Sequence, residues 1–385
     1  MAQLAPRNLP ARPAPASLFV LLLLAPGLLL LNGCGNFFVC AKASCTTSTT
    51  SSSTNDFAYV TNSATAATSL DGFAVSSGTL VAATGAPTSL GYIPTSLVVT
   101  IPDTYVYVAS STGYIYGYAL GTGGALTPLN TSGLLVNESS AALEVSPDGK
   151  YLFSLNADGL TLEQYTINTS TGLLTAAGNY SIITSATAGP VVPYALKFAP
   201  SGDFLVCALG TGGAEVFGYS AGALTFGSDI TPANTSTAIY GVTVDANNYI
   251  YTVGTVGLQV FTTSAAGAAT YAAQDTASAG ARSVVVTSGN NFVYAANPNS
   301  SLIYGDSIGS NGALTALSTS PYNGPTTVGA IGRDNSGSYI VTVGYSATSG
   351  IQIFTLNSTT GALTLNNSVA SGTVTGDPAA LGMTH

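Results

Sequence analysis

Charged residues are scarce in this chain of 385 residues, and it contains a single histidine. Asp, Glu, Lys and Arg make up 6% of the sequence, against roughly 25% in an average soluble domain. Beyond residue 55 the only cations are Lys150, Lys197, Arg282 and Arg333, and the formal net charge is −9. Because no basic stripe exists, we expect no nucleic-acid partner, and a phosphorylated substrate would meet few cations.

Low charge combined with low hydrophobicity would predict disorder, but this chain is 46% apolar. It also contains 44 glycines and 21 tyrosines. This composition is typical of many short strands joined by tight turns, with a surface made polar by Ser, Thr and Asn. The length is sufficient to bury a large core even after an exported leader is removed.

The N-terminus has the pattern of an export signal. Arg7 and Arg12 precede an apolar run at residues 18–31, which is shorter than the roughly 20 residues that span a bilayer. The Leu-Asn-Gly-Cys sequence at residues 31–34 follows directly and resembles the bacterial lipobox. The resemblance implies that residues 1–33 are a cleaved signal peptide and that Cys34 is lipidated. An ordinary signal cut near the same point is the alternative.

Residues 34–55 are interpreted as the lipidated cysteine and a flexible tether. Cys40 and Cys45 lie in an exported segment, where a disulfide is possible and no partner ligands for a metal are in sight. The Ser/Thr-rich residues 46–55 would hold a globular domain away from a membrane. We therefore expect an exported protein, anchored by lipid in the bacterial cell envelope. Cys207, in an apolar strand, is read as a small buried hydrophobe.

The remaining residues, 56–385, contain one motif seven times. Each copy is a short run of aromatic and aliphatic residues bounded by Gly, Asn, Asp or Ser, which predicts a strand. The leading aromatic residues lie 43 to 53 positions apart. The runs are residues 57–60, 105–108, 151–153, 204–206, 249–251, 292–294 and 339–341.

Each run has the same neighbours in the sequence. An apolar strand and a turn precede it, as in residues 142–149 and 194–202. A third strand follows it, as in residues 114–118 and 351–354. A fourth strand then starts at a glycine, in a Gly-Ala-Leu-Thr motif or a variant of it, at residues 124–127, 172–175, 222–225, 267–270, 312–315 and 361–364. Four strands per unit at this period predict the blades of an all-β propeller.

The two ends of the repeat region predict how the ring closes. The first copy begins with its second strand at Phe57, and residues 377–384 read as a first strand with nothing after it. Together they complete one blade and bury the edges that a linear array would expose. We predict a seven-bladed β-propeller of four-stranded antiparallel blades, in which residues 379–384 form the inner strand of the Tyr59 blade.

Three motifs carry a resemblance to a known family. Residues 57–62, Phe-Ala-Tyr-Val-Thr-Asn, resemble the YVTN propeller repeat. The Ser-Pro-Asp-Gly-Lys-Tyr turn at residues 146–151 and the Gly-Ala-Leu-Thr strands resemble the seven-bladed lactonase family, which includes propeller-type 6-phosphogluconolactonase. The resemblance covers residues 56–385. It implies a sugar-lactone hydrolase, a carboxylic ester hydrolase, or a lactone-forming cycloisomerase.

In such a propeller, sites lie at the top face, where first strands begin and second strands end. The candidates for ligand binding are Tyr194, Tyr240 and Arg282 at first-strand starts and Asn62, Asn156 and Asn297 at second-strand ends. Arg282 is suited to a carboxylate or a lactone carbonyl, and the alternative is a salt bridge to a loop acid. The asparagines are alternatively turn residues.

The family resemblance is incomplete where it implies catalysis. The family's Pro-His pair is replaced by Pro193-Tyr194, and His385 is the last residue of the sequence. Glu138 and Asp377, in loops before first strands, are the candidate general bases beside Arg282, although loop acids are commonly only solvated charges. No motif indicates a metal, a cofactor or a catalytic triad, so none of these is expected.

These observations favour a monomeric lipoprotein whose propeller is a binding or scaffold module with eroded catalytic residues. Its expected partners are the membrane, through the lipid anchor, and a sugar lactone, a glycan or an envelope protein. The alternatives are the hydrolase or cycloisomerase and a secreted propeller that binds polysaccharide through exposed Tyr and Asn. Glu144 and Lys197 share one register in successive blades, each seven residues before the aromatic run, and are predicted to pair.

Overall fold

The computed structural model describes residues 56–63, 68–130, 132–136, 138–182, 189–231, 237–264, 268–344, 349–370 and 380–385. In these residues seven antiparallel sheets follow one another, and helix is limited to two 3-10 turns, Thr122–Gly124 and Ser310–Gly312. The predicted seven-bladed β-propeller is confirmed. No helix of the described ranges is long and apolar enough to cross a membrane. Cys34, the predicted signal peptide, the tether and Asp377 lie outside the described residues.

Blades are numbered 1 to 7 in chain order, and each is named by its strands from the axis outwards. The first strands lie nearest the axis, and neighbouring first strands contact each other around the ring. In blade order they are Leu381–Met383, Pro94–Val99, Ser140–Val145, Ala195–Phe198, Ile239–Val244, Ser283–Val286 and Ala330–Arg333. The second strands are Asp56–Asn62, Tyr105–Ser110, Tyr151–Asn156, Phe204–Ala208, Ile250–Gly254, Phe292–Asn297 and Tyr339–Val343.

The outer half of each blade consists of a third and a fourth strand. The third strands are Ser69–Ser76, Tyr114–Leu120, Thr161–Ile167, Ala214–Ser220, Gly257–Thr263, Leu302–Ile308 and Ile351–Leu356. The fourth strands are Thr79–Ala82, Leu126–Pro128, Leu174–Ser181, Ala223–Ile230, Ala269–Asp275, Leu314–Ala316 and Leu363–Val369. The sequence motifs therefore correspond to the four strand positions as predicted.

Three fourth strands are interrupted, which the sequence repeat did not predict. In blades 1, 2 and 6 a separate two-residue strand pairs with the third strand, at Thr88–Ser89, Leu134–Leu135 and Tyr322–Asn323. A proline lies in or beside each interruption, at Pro87, Pro128 and Pro321. Because proline has no N–H to donate to a ladder, it is tolerated at an edge strand but breaks the regular pairing there.

The ring closes through the C-terminal strand. Ala58, Tyr59 and Val60 pair with Met383, Gly382 and Leu381, so the first and last described strands share blade 1. The Thr384 hydroxyl accepts a hydrogen bond from the N–H of Phe57 at 2.7 Å. The predicted closure is confirmed, and it removes the unpaired edge that Asp56–Asn62 would otherwise present.

The core lies between adjacent blades, where the two faces of neighbouring sheets pack together. Phe153 of blade 3 packs edge-to-face on Phe198 of blade 4, with 5.4 Å between ring centroids. Cys207 is fully buried in this layer, as predicted. Since second-strand residues alternate between the two faces of a blade, each second strand supplies apolar side chains to both neighbours. This is why the second strands are almost continuously buried.

Candidate functional site

Tyr194, Tyr240 and Arg282 come together at the top face of the ring; we call them the mouth trio. They start the first strands of blades 4, 5 and 6. The N–H of Tyr194 is bonded to the carbonyl of Ala208, and the N–H of Arg282 to that of Ala296, each at 2.9 Å. Tyr240 lies at a bulge between Ile239 and Gly241.

The guanidinium of Arg282 lies against both aromatic rings of the trio. Its carbon is 5.1 Å from the ring centroid of Tyr240 and 6.0 Å from that of Tyr194. The two rings contact each other edge to face, with centroids 4.9 Å apart. Cation–π contact of this kind holds a guanidinium in place and leaves free the N–H donors, which lie in the plane of the guanidinium.

Gly241 allows blades 5 and 6 to approach each other closely beside the trio. A side-chain carbon at Gly241 would lie 2.5 Å from the carbonyl oxygen of Arg282. Only a residue without Cβ allows this approach. The sequence therefore brings Tyr240 and Arg282 together through the glycine that follows Tyr240.

Arg282 is solvent-exposed, and the two tyrosines are partly buried. Within the described residues, the ion pairs are Lys150–Asp148, Lys197–Glu144 and His385–Asp103, and Arg282 forms none. The contacts seen for Arg282 are thus aromatic rather than the loop-acid salt bridge weighed from the sequence. A guanidinium with this arrangement can accept a carboxylate or a carbonyl oxygen from a ligand.

The predicted asparagines occupy the second-strand ends, where two of them form internal hydrogen bonds. The Asn297 amide donates to the carbonyl of Ala279 at 2.8 Å and accepts from the N–H of Asn299 at 3.0 Å. The Asn156 amide faces Glu163, with 3.4 Å between Nδ2 and Oε1. These contacts are those of turn and core residues. Asn62 is partly buried where its strand ends.

No candidate acid forms an ion pair with Arg282 in the part of the chain that the structure describes. Glu138 is exposed in the loop before the first strand of blade 3. His385 lies at the opposite face, where its Nδ1 is 3.2 Å from the Asp103 carboxylate. The described residues contain no group of three His, Cys, Asp or Glu that could hold a metal ion. Within the described ranges, the trio thus has binding groups and no carboxylate paired with its guanidinium.

The predicted pairing of Glu144 and Lys197 is confirmed. The Lys197 ammonium lies 3.0 Å from Glu144 Oε1 across the boundary between blades 3 and 4. The same oxygen accepts the N–H of Phe198 at 3.3 Å. The first strands surround a central channel. Glu144 and Lys197 line a cavity in the half of this channel away from the mouth trio, and the sequence did not predict that cavity. The sequence signal was present, since polar residues here interrupt an otherwise apolar inner strand.

No protein-family model matches the sequence, and no curated protein matches it. Solved structures match it closely in fold. The periplasmic gluconolactonase of Pseudomonas aeruginosa is 14% identical, with a TM-score of 0.68, over 86% of this chain and 99% of that one. A candidate 6-phosphogluconolactonase from Bacteroides fragilis is 15% identical with the same TM-score and coverage. A Lactobacillus plantarum protein reaches a TM-score of 0.70 at 15% identity, again with 86% and 99% coverage. The chain is therefore similar in fold to the 6-phosphogluconolactonase-like seven-bladed propellers.

Proposed function

We propose that the propeller is a ligand-binding module that takes a sugar acid or a sugar lactone at the mouth trio. The observation that carries the proposal is Arg282, held over Tyr194 and Tyr240 with no ion pair among the described residues. A guanidinium pairs with a carboxylate through two parallel hydrogen bonds. The tyrosine rings offer an apolar surface for the C–H face of a sugar and hydroxyls for its polar groups.

The runner-up function is hydrolysis of a sugar lactone, as the name of the Pseudomonas gluconolactonase suggests for that protein. Hydrolysis requires a general base that activates water within hydrogen-bonding reach of the lactone carbonyl. Glu138 and Asp377 are the candidates for this base, and a lactone-forming cycloisomerase would need the same groups. Binding is favoured because no described carboxylate contacts Arg282.

The test combines a binding measurement with an activity measurement on residues 56–385. Gluconate binding is followed by calorimetry, and hydrolysis of gluconolactone and 6-phosphogluconolactone is corrected for spontaneous opening. We expect gluconate binding to weaken at least tenfold in Arg282→Ala, since a charge-assisted pair is lost. Lys150→Ala is the matched control. It also removes a cation, but Lys150 lies in the turn after the first strand of blade 3, whereas the trio lies where first strands begin.

The outcomes separate the two functions. Binding in the wild type without lactone turnover supports the binding module. Turnover that collapses in Arg282→Ala would replace it with the hydrolase. If Arg282→Ala and Lys150→Ala both bind gluconate like the wild type, the mouth trio is not the site.

We also propose that Cys34 anchors the mature protein to the cell envelope through a lipid, with residues 46–55 as the tether. The support is the sequence of residues 31–34 after an apolar run. A lipid-linked cysteine is the one membrane attachment the sequence suggests after signal cleavage. Cys34→Ala should move the cleaved protein from the membrane fraction to the soluble fraction. Retention of the cleaved variant on salt-washed membranes would contradict the anchor.

A further inference from the structure

The half of the channel away from the mouth trio holds a cavity of about 530 Å³. It is lined by the last residues of all seven first strands and by the turns that follow them. No residue of the trio lines it. Along one strand, Tyr240 and Val244 are four residues apart, which corresponds to ~13 Å of extended chain. The cavity is therefore a separate site, and its size is that of a small-molecule pocket.

The cavity wall has an aliphatic part beside polar and charged groups. Its lining includes Val98, Val244, Val285, Ile331, Leu381 and Met383, from five different blades. Such a wall favours a ligand with an apolar body, because burying that body removes apolar surface from water. An aliphatic surface alone does not select one class of ligand. The charged groups of the lining therefore decide which polar group the ligand must carry.

Two acids of the lining are occupied by their own turns. The Asp245 carboxylate accepts the N–H groups of Asn247 and Tyr249 at 2.9 and 2.8 Å, and the hydroxyl of Tyr251 at 3.0 Å. The Asp334 carboxylate accepts the N–H of Tyr339 at 2.7 Å and also the hydroxyl of Ser336. Both acids are buried. They therefore stabilise the turns and offer little to a ligand.

The other charged groups of the lining are also paired, except for one. Glu144 pairs with Lys197, and His385 pairs with Asp103. Arg333 forms neither a salt bridge nor a side-chain hydrogen bond within the described ranges. Among the described charged side chains around this cavity, Arg333 is thus the one for which neither an ion pair nor a side-chain hydrogen bond is seen.

The position of Arg333 on its strand is unusual among the seven blades. It directly precedes the residue that starts the turn, and the equivalent residues include Val99, Val145, Val244 and Val286, which are all buried and apolar. The Arg333 side chain is exposed and borders the cavity. Partial desolvation lowers the pKa of Arg333, and the nearby charge of Asp334 opposes this shift. A guanidinium without an ion pair can bind a carboxylate through two charge-assisted hydrogen bonds.

We propose that this cavity binds an amphiphilic monocarboxylate, with its carboxylate on Arg333 and its aliphatic body against the apolar wall. The site is distinct from the mouth trio, and the proposal stands whether the trio binds a sugar acid or not.

The test uses hexanoate, octanoate and decanoate below their micelle concentrations, with octanamide as the neutral analogue. Affinity for residues 56–385 is measured by calorimetry. We expect about a fourfold gain in affinity for each CH₂ that enters the cavity. Octanamide should bind at least tenfold more weakly than octanoate, because it cannot form the charge-assisted pair.

Arg333→Gln should reduce octanoate affinity at least tenfold while leaving octanamide affinity unchanged, and Arg333→Lys should retain part of the octanoate affinity. Lys150→Gln is the matched control and should bind octanoate like the wild type, because Lys150 is a cation that does not line the cavity. Thermal melts check that the variants fold. Equal affinities of the wild type for octanoate and octanamide would overturn the proposal even if Arg333→Gln failed to fold. Loss of octanoate binding in Arg282→Gln would assign the ligand to the mouth instead.

Discussion

The hydroxyl oxygen of Tyr107 lies 2.6 Å from the carbonyl oxygen of Gly172, which belongs to the next blade. Tyr107 stands in the aromatic run of the second strand, and Gly172 opens the Gly-Leu-Leu-Thr segment of the next repeat. The same bond joins Tyr59 to Gly124 at 2.8 Å. Two motifs that recur separately along the sequence therefore form one joint between neighbouring blades.

Loss of this hydrogen bond should weaken the joint. In Tyr107→Phe the buried carbonyl of Gly172 loses its donor, and we expect a cost of about 1–2 kcal/mol in the free energy of unfolding. Urea unfolding measures the change. Tyr114→Phe is the control, because the hydroxyl of Tyr114 makes no hydrogen bond within the described residues. Equal midpoints for the two variants would contradict the role of the bond.

Gly172 itself should tolerate no side chain. Its φ is +71°, and a Cβ would lie 2.5 Å from a methyl of Leu129 and 2.6 Å from the ring of Tyr105. We expect Gly172→Ala to destabilise the propeller by about 2 kcal/mol or more. Gly178→Ala lies in the same blade with nothing within 4 Å of the new Cβ. A midpoint near the wild-type value is expected for this control, and a comparable loss in both variants would contradict the steric argument.

Ring closure should depend on the last strand. Deleting residues 381–385 removes the partner of Asp56–Asn62 and exposes a strand edge in blade 1. We expect aggregation or loss of the cooperative thermal transition. Deleting His385 alone is the control, since it leaves the ladder and Thr384 in place. A five-residue truncation that melts like the wild type would show that closure contributes little.

Stability should fall with rising pH because of Asp306. Burial raises the pKa of this carboxyl to about 7, and the nearby charge of Asp275 adds to the shift. The unfolded chain releases the same proton near pH 4. The folded state therefore binds the proton more tightly, and the free energy of unfolding decreases between about pH 4 and pH 7 and then stays low.

Asp306→Asn removes this titration. We expect the variant to match the wild type at pH 4 and to exceed it at pH 8 by on the order of a few kcal/mol. Thermal melts across this pH range test the expectation. Asp203→Asn is the control because Asp203 is exposed. Parallel pH profiles for the wild type and Asp306→Asn would show that Asp306 does not cause the dependence.

The strand order, the number of blades and the closure were predictable from the sequence. Each blade is specified by local patterns, namely an aromatic run, a turn and a glycine-started strand, and these repeat at a spacing that fits four short strands. The pairing of Glu144 with Lys197 was also predictable, because equal register on adjacent inner strands places both side chains at one height in the ring.

The tertiary structure decided what the polar side chains do. The sequence placed Arg282 at the top face, but only the packing of blades 4, 5 and 6 set its guanidinium against Tyr194 and Tyr240. The structure likewise revealed that Asn297 bonds to Ala279 and Asn299 of its own blade. It also showed that Arg333, which borders a cavity, forms no ion pair with the described residues. The contacts of Arg282 with the two tyrosines join residues roughly one blade or more apart in sequence. They depend on the curvature of the ring and on side-chain directions, which a local repeat does not encode.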